Sequence, residues 1–326
     1  MTLDRATAGL DALRGQAVLV TGGAGVIAGE LLGLLSAAEA RVLSVDRLPL
    51  AAPPAGVEHL VGDLAEIDLA PLAAFAPKYI FHLAATFERS VESPEFWTEN
   101  WHDNVVVSHR LAELAEAAGS VETYVFASSY LVYDPRQYLF ATAPAEATSL
   151  GEESRLQPRN LCGAAKLYAE AEIDFQRRVR GLGMRTVHAR IYRVYGRGSR
   201  DVVSRWVRAA LAGEPIEVYH AENRFDYVFA GDVAEGLARL AAADGAEGAV
   251  NVATGRSRSV AEVIAAIETV TGRRLDATYR DADEPFEASQ DDVAALRAAT
   301  GWAPGTSLEA GVRLLADFEE HRRTRG

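Results

Sequence analysis

The stretch Ala17-Val18-Leu19-Val20-Thr21-Gly22-Gly23-Ala24-Gly25-Val26-Ile27-Ala28 decides the fold. An apolar run of strand length ends in a glycine-rich turn, and a helical pattern follows from about Gly25 to Ala38. Gly22 and Gly25 lack a Cβ and let the backbone approach a pyrophosphate, while the helix opening at Val26 and Ile27 presents amide N–H groups to it. A second apolar strand, Val42-Leu43-Ser44-Val45, ends at Asp46. A carboxylate about 20 residues after such a turn accepts ribose hydroxyls and repels a 2′-phosphate, which points to NAD rather than NADP. Arg47 beside it offsets part of that repulsion and leaves the phosphorylated cofactor open. A plain glycine bend followed by a solvated acid is the simpler alternative, and the order strand, turn, helix, acid speaks against it.

The same rhythm continues outward. Strand-like runs at Arg41 to Val45, Val57 to Val61, Tyr79 to Leu83, Thr123 to Ala127 and Arg185 to Ile191 alternate with helical patterns near Asp103 to Ala118 and Asn160 to Arg180. This predicts an α/β fold with a doubly wound parallel sheet. After about Tyr192 the pattern loosens into a smaller α/β lobe, with helices near Val203 to Leu211, Val260 to Val270 and Leu308 to Glu320 and strands around Ile216 to Tyr219 and Tyr227 to Phe229. Residues Asp134 to Pro158 have no clear period and read as a long loop beside the site.

Composition narrows the function. Forty-six acidic against thirty-three basic side chains give a net charge of −13, which repels nucleic acid and anionic lipid. One cysteine excludes an internal disulfide, and Met1 to Arg14 carries acids without the apolar core of a signal peptide. The expectation is a cytoplasmic protein with no nucleic-acid, membrane or metal partner. The apolar runs are all far shorter than the roughly 20 residues of a membrane helix.

Beyond the glycine turn, an ordered series of short matches runs nearly end to end: Gly62-Asp63-Leu64, His82-Leu83-Ala84-Ala85, Asn104-Val105-Val106, Ala127-Ser128-Ser129, Gly163-Ala164-Ala165-Lys166, Val194-Tyr195-Gly196, Asp226-Tyr227-Val228 and Gly301-Trp302-Ala303-Pro304. In these the sequence resembles the extended short-chain dehydrogenase/reductase family, in particular its NAD-dependent epimerase/dehydratase branch, which includes the sugar-nucleotide epimerases. The resemblance implies a Rossmann domain for NAD over residues 1–191, with part of 224–250 returning to it, and a substrate-binding lobe mainly over 192–326. It implies that Asp63 and Leu64 meet the adenine and that Ala84 and Ala85 line the cofactor cleft. Asn104 either serves that cleft or caps its helix, and His82 either serves it or closes a strand with satisfied hydrogen bonds. Ser129 corresponds to the family's catalytic hydroxyl residue, and Lys166 to the lysine that holds the nicotinamide ribose. A homodimer through the helices near Asp103 to Ala118 and Asn160 to Arg180 is implied by the resemblance alone.

One position departs from the pattern. The family places tyrosine four residues before the lysine, and here that position is Cys162. The two share a helical face one turn apart. A thiol, with a reference pKa near 8.5, ionises more readily than a phenol near 10, but its side chain ends well short of the phenol oxygen. Three readings stay open: Cys162 acts through water or a shifted substrate, Tyr130 or Tyr168 substitutes, or redox catalysis is lost. Tyr130 and Leu131 stand where family dehydratases and decarboxylases carry acids, so assisted elimination is not expected. The diphosphate wall also differs, with Arg193 in place of asparagine and Phe225 in place of arginine, while Arg224 and Arg280 remain candidate phosphate ligands beside Arg193. Together these features predict an NAD-dependent sugar-nucleotide epimerase that moves a hydride from a sugar carbon to NAD and back. A keto-sugar reductase or alcohol dehydrogenase, or a silent nucleotide-sugar-binding protein, are the alternatives.

Overall fold

The computed structural model describes residues 7–87, 94–280 and 283–325. Its centre is a seven-stranded sheet of β1 (Ala17–Thr21), β2 (Arg41–Asp46), β3 (Val57–Val61), β4 (Tyr79–His82), β5 (Thr123–Ser129), β6 (Arg185–Ile191) and β7 (Gly248–Val252). The order is β7-β6-β5-β4-β1-β2-β3, and every pair is parallel. All five residues of β1 and all four of β4 are buried, as expected for strands covered on both faces.

Helices cover both faces. On one side α1 (Val26–Ala37) joins a core containing Val18, Val20, Leu31, Leu35 and Leu237. On the other, α2 (Val107–Ala118) and α3 (Leu161–Arg180) bury Leu111, Ala169 and Ile173 against Leu19, Ile80 and Phe126. The chain crosses into a second lobe after β6 and forms α4 (Val202–Ala212). It then returns with α5 (Ala230–Ala242) and β7 to the first core, before α6 (Val260–Thr271) and α7 (Leu308–Arg325) enclose the second one. No helix among the described residues is long and apolar enough to cross a membrane.

Two expectations change. The segment from Asp134 to Pro158 is not a free loop: Leu139–Phe140 pairs antiparallel with Phe286–Glu287, and Thr148–Leu150 pairs parallel with Ser289–Asp291. These strands are two or three residues long, too short to show a period, and their partners lie more than a hundred residues away. The helix expected near Asp103 starts earlier, with α-helix at Pro94–Asn100, a π-helical stretch at Trp101–Val106 and then α2. A π turn admits an extra residue and re-aims side chains, a device found mostly at functional sites. Strand order reverses between β1 and β4, and in open α/β sheets ligands sit at the carboxyl ends of strands at such a point.

Candidate active site

The turn after β1 and the segment after β4 meet at this crevice. Gly22 adopts φ +74°, and a Cβ there would lie 2.7 Å from the Ala84 nitrogen, so only glycine allows the approach. The first helical N–H groups after Gly25 receive no side-chain cap, which leaves the start of α1 able to bind an anion. Asp46 closes the β2 end, accepting from the Ala24 nitrogen at 3.0 Å and the Leu48 nitrogen at 2.9 Å. Gly22, Gly25, Asp46, Arg47, Asp63, Leu64, Ala84 and Ala85 line one continuous cleft. Val26 and Ile27 supply the first turn of α1 beside it. A glycine cradle at an uncapped helix start, an apolar strip at Leu64 and Ala84 and a carboxylate at a strand end together fit a dinucleotide.

Arg47 is committed to acids. It pairs with Asp103 at 2.6 Å and lies 3.7 Å from Asp63, contacts that raise its pKa. With Asp46, three carboxylates surround one guanidinium, and a 2′-phosphate would add charge to an already negative site. The charge at this end of the cleft therefore favours NAD over NADP.

Asn104 does not cap a helix. It is buried, accepts from the Thr86 nitrogen at 2.9 Å and donates to the Thr86 carbonyl at 3.1 Å and to Asn100 at 2.7 Å, pinning the segment behind Ala84 and Ala85. His82 is buried between Thr21 Oγ1 at 3.0 Å and Ser108 Oγ at 2.9 Å. Burial, together with Lys166, pushes its pKa well below the usual range, so it is a neutral structural residue.

The catalytic candidates read from the sequence, Ser129, Cys162 and Lys166, stand on β5 and α3. Asn160 caps α3 by accepting from the Gly163 nitrogen at 2.9 Å, and Gly181 ends it at φ +65° with arginines in the last turn. Cys162, Lys166 and Glu170 follow at four-residue spacing and are all buried. Cys162 Sγ donates to the Thr86 carbonyl at 3.7 Å. Burial lowers the Lys166 pKa to about 8, against the opposing pull of Cys162 and Glu170. Its ammonium lies 4.7 Å from the centre of the Phe126 ring. Glu170 accepts from Ser128 and is held by Arg190 at 2.8 Å, so Ser128 belongs to the scaffold. Ser129 ends β5, and its Oγ accepts from the Leu131 nitrogen at 3.2 Å, which leaves its own proton to donate elsewhere.

The tyrosine alternatives separate. Tyr168 lies two residues beyond Lys166, on the opposite face of α3, and is 53% exposed, so it does not reach the cleft. Tyr130 is stacked on Tyr192 with ring centres 4.2 Å apart, and burial pushes its phenol far above the ordinary range although Arg193 draws it down. It is a poor base.

A cavity of about 980 Å³ opens beside Arg193 in the second lobe, lined among others by Arg205, Trp206, Asn223, Phe225 and Tyr227, large enough for a nucleotide. Of the three arginines expected from sequence, only Arg193 lines it. Arg224 pairs with Glu262 at 3.2 Å, and Arg280 pairs with Glu217 at 3.1 Å and is half exposed. Sequence reading missed Arg205, Arg208, Arg322 and Arg323, which line the cavity from α4 and α7. Arginines spaced along amphipathic helices look like solvated faces until the helices are packed together. Glu170 had a legible signal, its four-residue step from Lys166.

The sequence profile of the NAD dependent epimerase/dehydratase family matches residues 18–253. A UDP-glucose 4-epimerase of Mycolicibacterium smegmatis is 30% identical, over 92% of this chain and 97% of its own. The structure of MoeE5 in complex with UDP-glucuronic acid and NAD is 29% identical and superposes with a TM-score of 0.80, over 94% of this chain and 99% of its own. The UDP-glucose 4-epimerase of Thermus thermophilus in complex with NAD is 27% identical, with a TM-score of 0.77 over 93% and 99%.

Proposed function

Because the chain belongs to the NAD dependent epimerase/dehydratase family, we propose that it inverts one sugar carbon of a nucleoside diphosphate sugar, using NAD within a single active site. The carrying observation is that Cys162 and Lys166, one turn apart on the buried face of α3, pack onto β5, which ends at Ser129, with Lys166 over the Phe126 ring and Cys162 bonded to the Thr86 carbonyl, just beyond Ala84 and Ala85 of the dinucleotide cleft. NAD, when bound, supplies the acceptor for the hydride of the sugar carbon and the donor for its return to the other face.

The chain's own residues do the rest. Gly22, Gly25 and the α1 amides of Val26 and Ile27 hold the dinucleotide phosphates, Asp46 its ribose, and Asp63 and Leu64 its adenine; Lys166 holds the second ribose. Ala84 and Ala85, on the segment that Asn104 holds through Thr86, would line the cleft that receives the cofactor. The Ser129 hydroxyl donates to the reacting sugar oxygen. Cys162, as the thiolate, takes the hydroxyl proton as the carbon becomes a ketone and returns it when the carbon is reduced. Its side chain is shorter than a phenol, so the proton travels through one water. The Lys166 ammonium, one turn away, stabilises the thiolate. Arg193, Arg205 and Arg323 hold the substrate's anionic groups, and Tyr130 forms the wall between Ser129 and Arg193.

The first half of the chain serves the cofactor and the lobe built on α4, α6 and α7 serves the substrate. The active protein is a cytoplasmic homodimer. Tyr168, Phe175 and Val179 form an exposed apolar stripe along α3, where such a patch marks an interface, and Trp97 and Trp101 add to the exposed apolar surface. The test is product stereochemistry. Incubation with NAD and UDP-glucose, UDP-glucuronic acid or UDP-N-acetylglucosamine, followed by proton NMR, should show a new epimer without net NADH. The absence of an epimer from all three overturns the reading.

A further inference from the structure

At the edge of the cavity lies a cluster of which the steps above use only Arg193. Glu287, on the strand Phe286–Glu287, is buried and accepts from two guanidinium groups: Arg159, just ahead of α3, and Arg193, at 3.2 Å. It is the only acid that either arginine pairs with among the described residues. Two cations therefore share one anion, leaving one positive charge in a partly dehydrated site, an arrangement that is costly unless another anion completes it. Both arginine side chains keep 33% of their exposure while Glu287 keeps 4%, so each arginine retains surface that the shared acid does not cover. Arg193 Nε and the Tyr227 hydroxyl are buried without hydrogen-bond partners, and both residues line the cavity.

Position distinguishes this cluster from the phosphate contacts. Arg205 and Arg323 line the same cavity and form no ion pairs among the described residues, which suits a diphosphate. Arg193 lies at the inner end instead, 3.8 Å from the Phe225 ring centre and 5.7 Å from that of Tyr130, the residue that follows Ser129. The backbone of Arg159 donates to the Leu131 carbonyl at 2.9 Å, tying the second fork to the same turn. A group held here belongs to the sugar. One residual positive charge matches a monoanion, and a planar carboxylate matches a guanidinium fork.

We propose that Arg159 and Arg193 receive the carboxylate of an acidic sugar, which makes the substrate a nucleoside diphosphate uronic acid rather than a neutral hexose. This rests on the nucleotide-sugar reading above and narrows it. Glu287 is the positioning residue, holding the two forks side by side.

The test compares kcat/KM for UDP-glucuronic acid and UDP-glucose with NAD, in the native enzyme and in Arg159→Gln, with calorimetric binding of both nucleotide sugars in parallel. The native enzyme should favour the acid roughly 30-fold or more. Arg159→Gln should reduce that preference below about fivefold, chiefly through KM for the acid. Equal or better turnover of UDP-glucose by the native enzyme overturns the inference while leaving the epimerase reading intact. If neither compound is epimerised, the epimerase reading fails, and calorimetry decides the inference alone: tighter binding of the acid supports it and equal binding refutes it. Should Arg159→Gln fail to fold, the preference of the native enzyme in both measurements still decides.

Discussion

Replacing Gly163 by alanine should cost this enzyme far more activity than stability. Gly163 lies in the first turn of α3, between Asn160 and the Cys162 to Lys166 face, and packs against the Leu131 carbonyl of the turn that follows Ser129. A methyl group there would overlap the Leu131 oxygen and lie 3.0 Å from its carbon and 3.2 Å from its Cβ. The obstacle is backbone, so α3 and the turn must part by roughly 1 Å to reach ordinary contact. Overpacking of this kind costs about 1 to 3 kcal/mol, and alanine recovers about 1 kcal/mol through helix propensity. The net loss is then about 0 to 2 kcal/mol, which lowers Tm by only a few degrees in a chain of this size. The same 1 Å separates Ser129 from Cys162 and Lys166, and a misplacement of that size costs on the order of 100-fold in rate. NAD affinity should change little, since the phosphate cradle belongs to β1 and α1. Gly29→Ala is the control: nothing lies within 4 Å of its added methyl, and it should stabilise by about 0.5 to 1 kcal/mol at unchanged rate. Steady-state epimerisation, NAD titration and thermal melts on both variants decide the matter. A Gly163→Ala enzyme within threefold of native kcat/KM refutes the spacing reasoning.

Cys162→Ala should lower kcat about 100-fold or more while costing about 1 kcal/mol of stability, because it removes a base but little volume; native-like turnover would assign the proton to another group. Lys166→Met should abolish most activity yet raise Tm at pH 7. Burial depresses the Lys166 pKa from 10.5 to about 8, so the folded state carries the cost of the charged form below about pH 8, and native stability gains as pH rises from there toward 10.5. The variant's advantage, up to roughly 3 kcal/mol at pH 7, should therefore vanish near pH 10, and a Tm difference that does not vary with pH contradicts the assignment. In the native enzyme kcat/KM should fall as pH passes about 8 and the ammonium is lost. Phe175→Glu with Val179→Glu places charge on the exposed stripe of α3 and should convert a dimer into a monomer by light scattering; a monomeric native protein removes the basis for that interface.

Much of the framework was legible because it is local. The apolar run of β1, the glycines after it and Asp46 at the end of β2 each act through their own backbone or nearest neighbours, so spacing along the chain locates them without knowledge of the rest. The step from Cys162 to Lys166 is likewise a helical distance, and the departure from tyrosine is visible in one dimension.

What the chain order could not convey are the encounters between distant segments. Strands of two or three residues at 139–140 and 148–150 show no periodicity, and only pairing with 286–287 and 289–291 gives them a structure. Arg280 looks like a phosphate ligand by position, yet Glu217 on the neighbouring strand already pairs with it. Tyr168 looks available until the winding of α3 turns it outward. Arg159, Arg193 and Glu287 meet across intervals of up to 128 residues, and none of them marks a site by itself. The sequence alone determined the sheet, the dinucleotide turn and the helix carrying Cys162 and Lys166, since those depend on interactions within a few residues. Which charges are already neutralised, which remain for a substrate and which tyrosine is turned to solvent were decided by tertiary packing, because electrostatic pairing and burial depend on distance in space rather than along the chain.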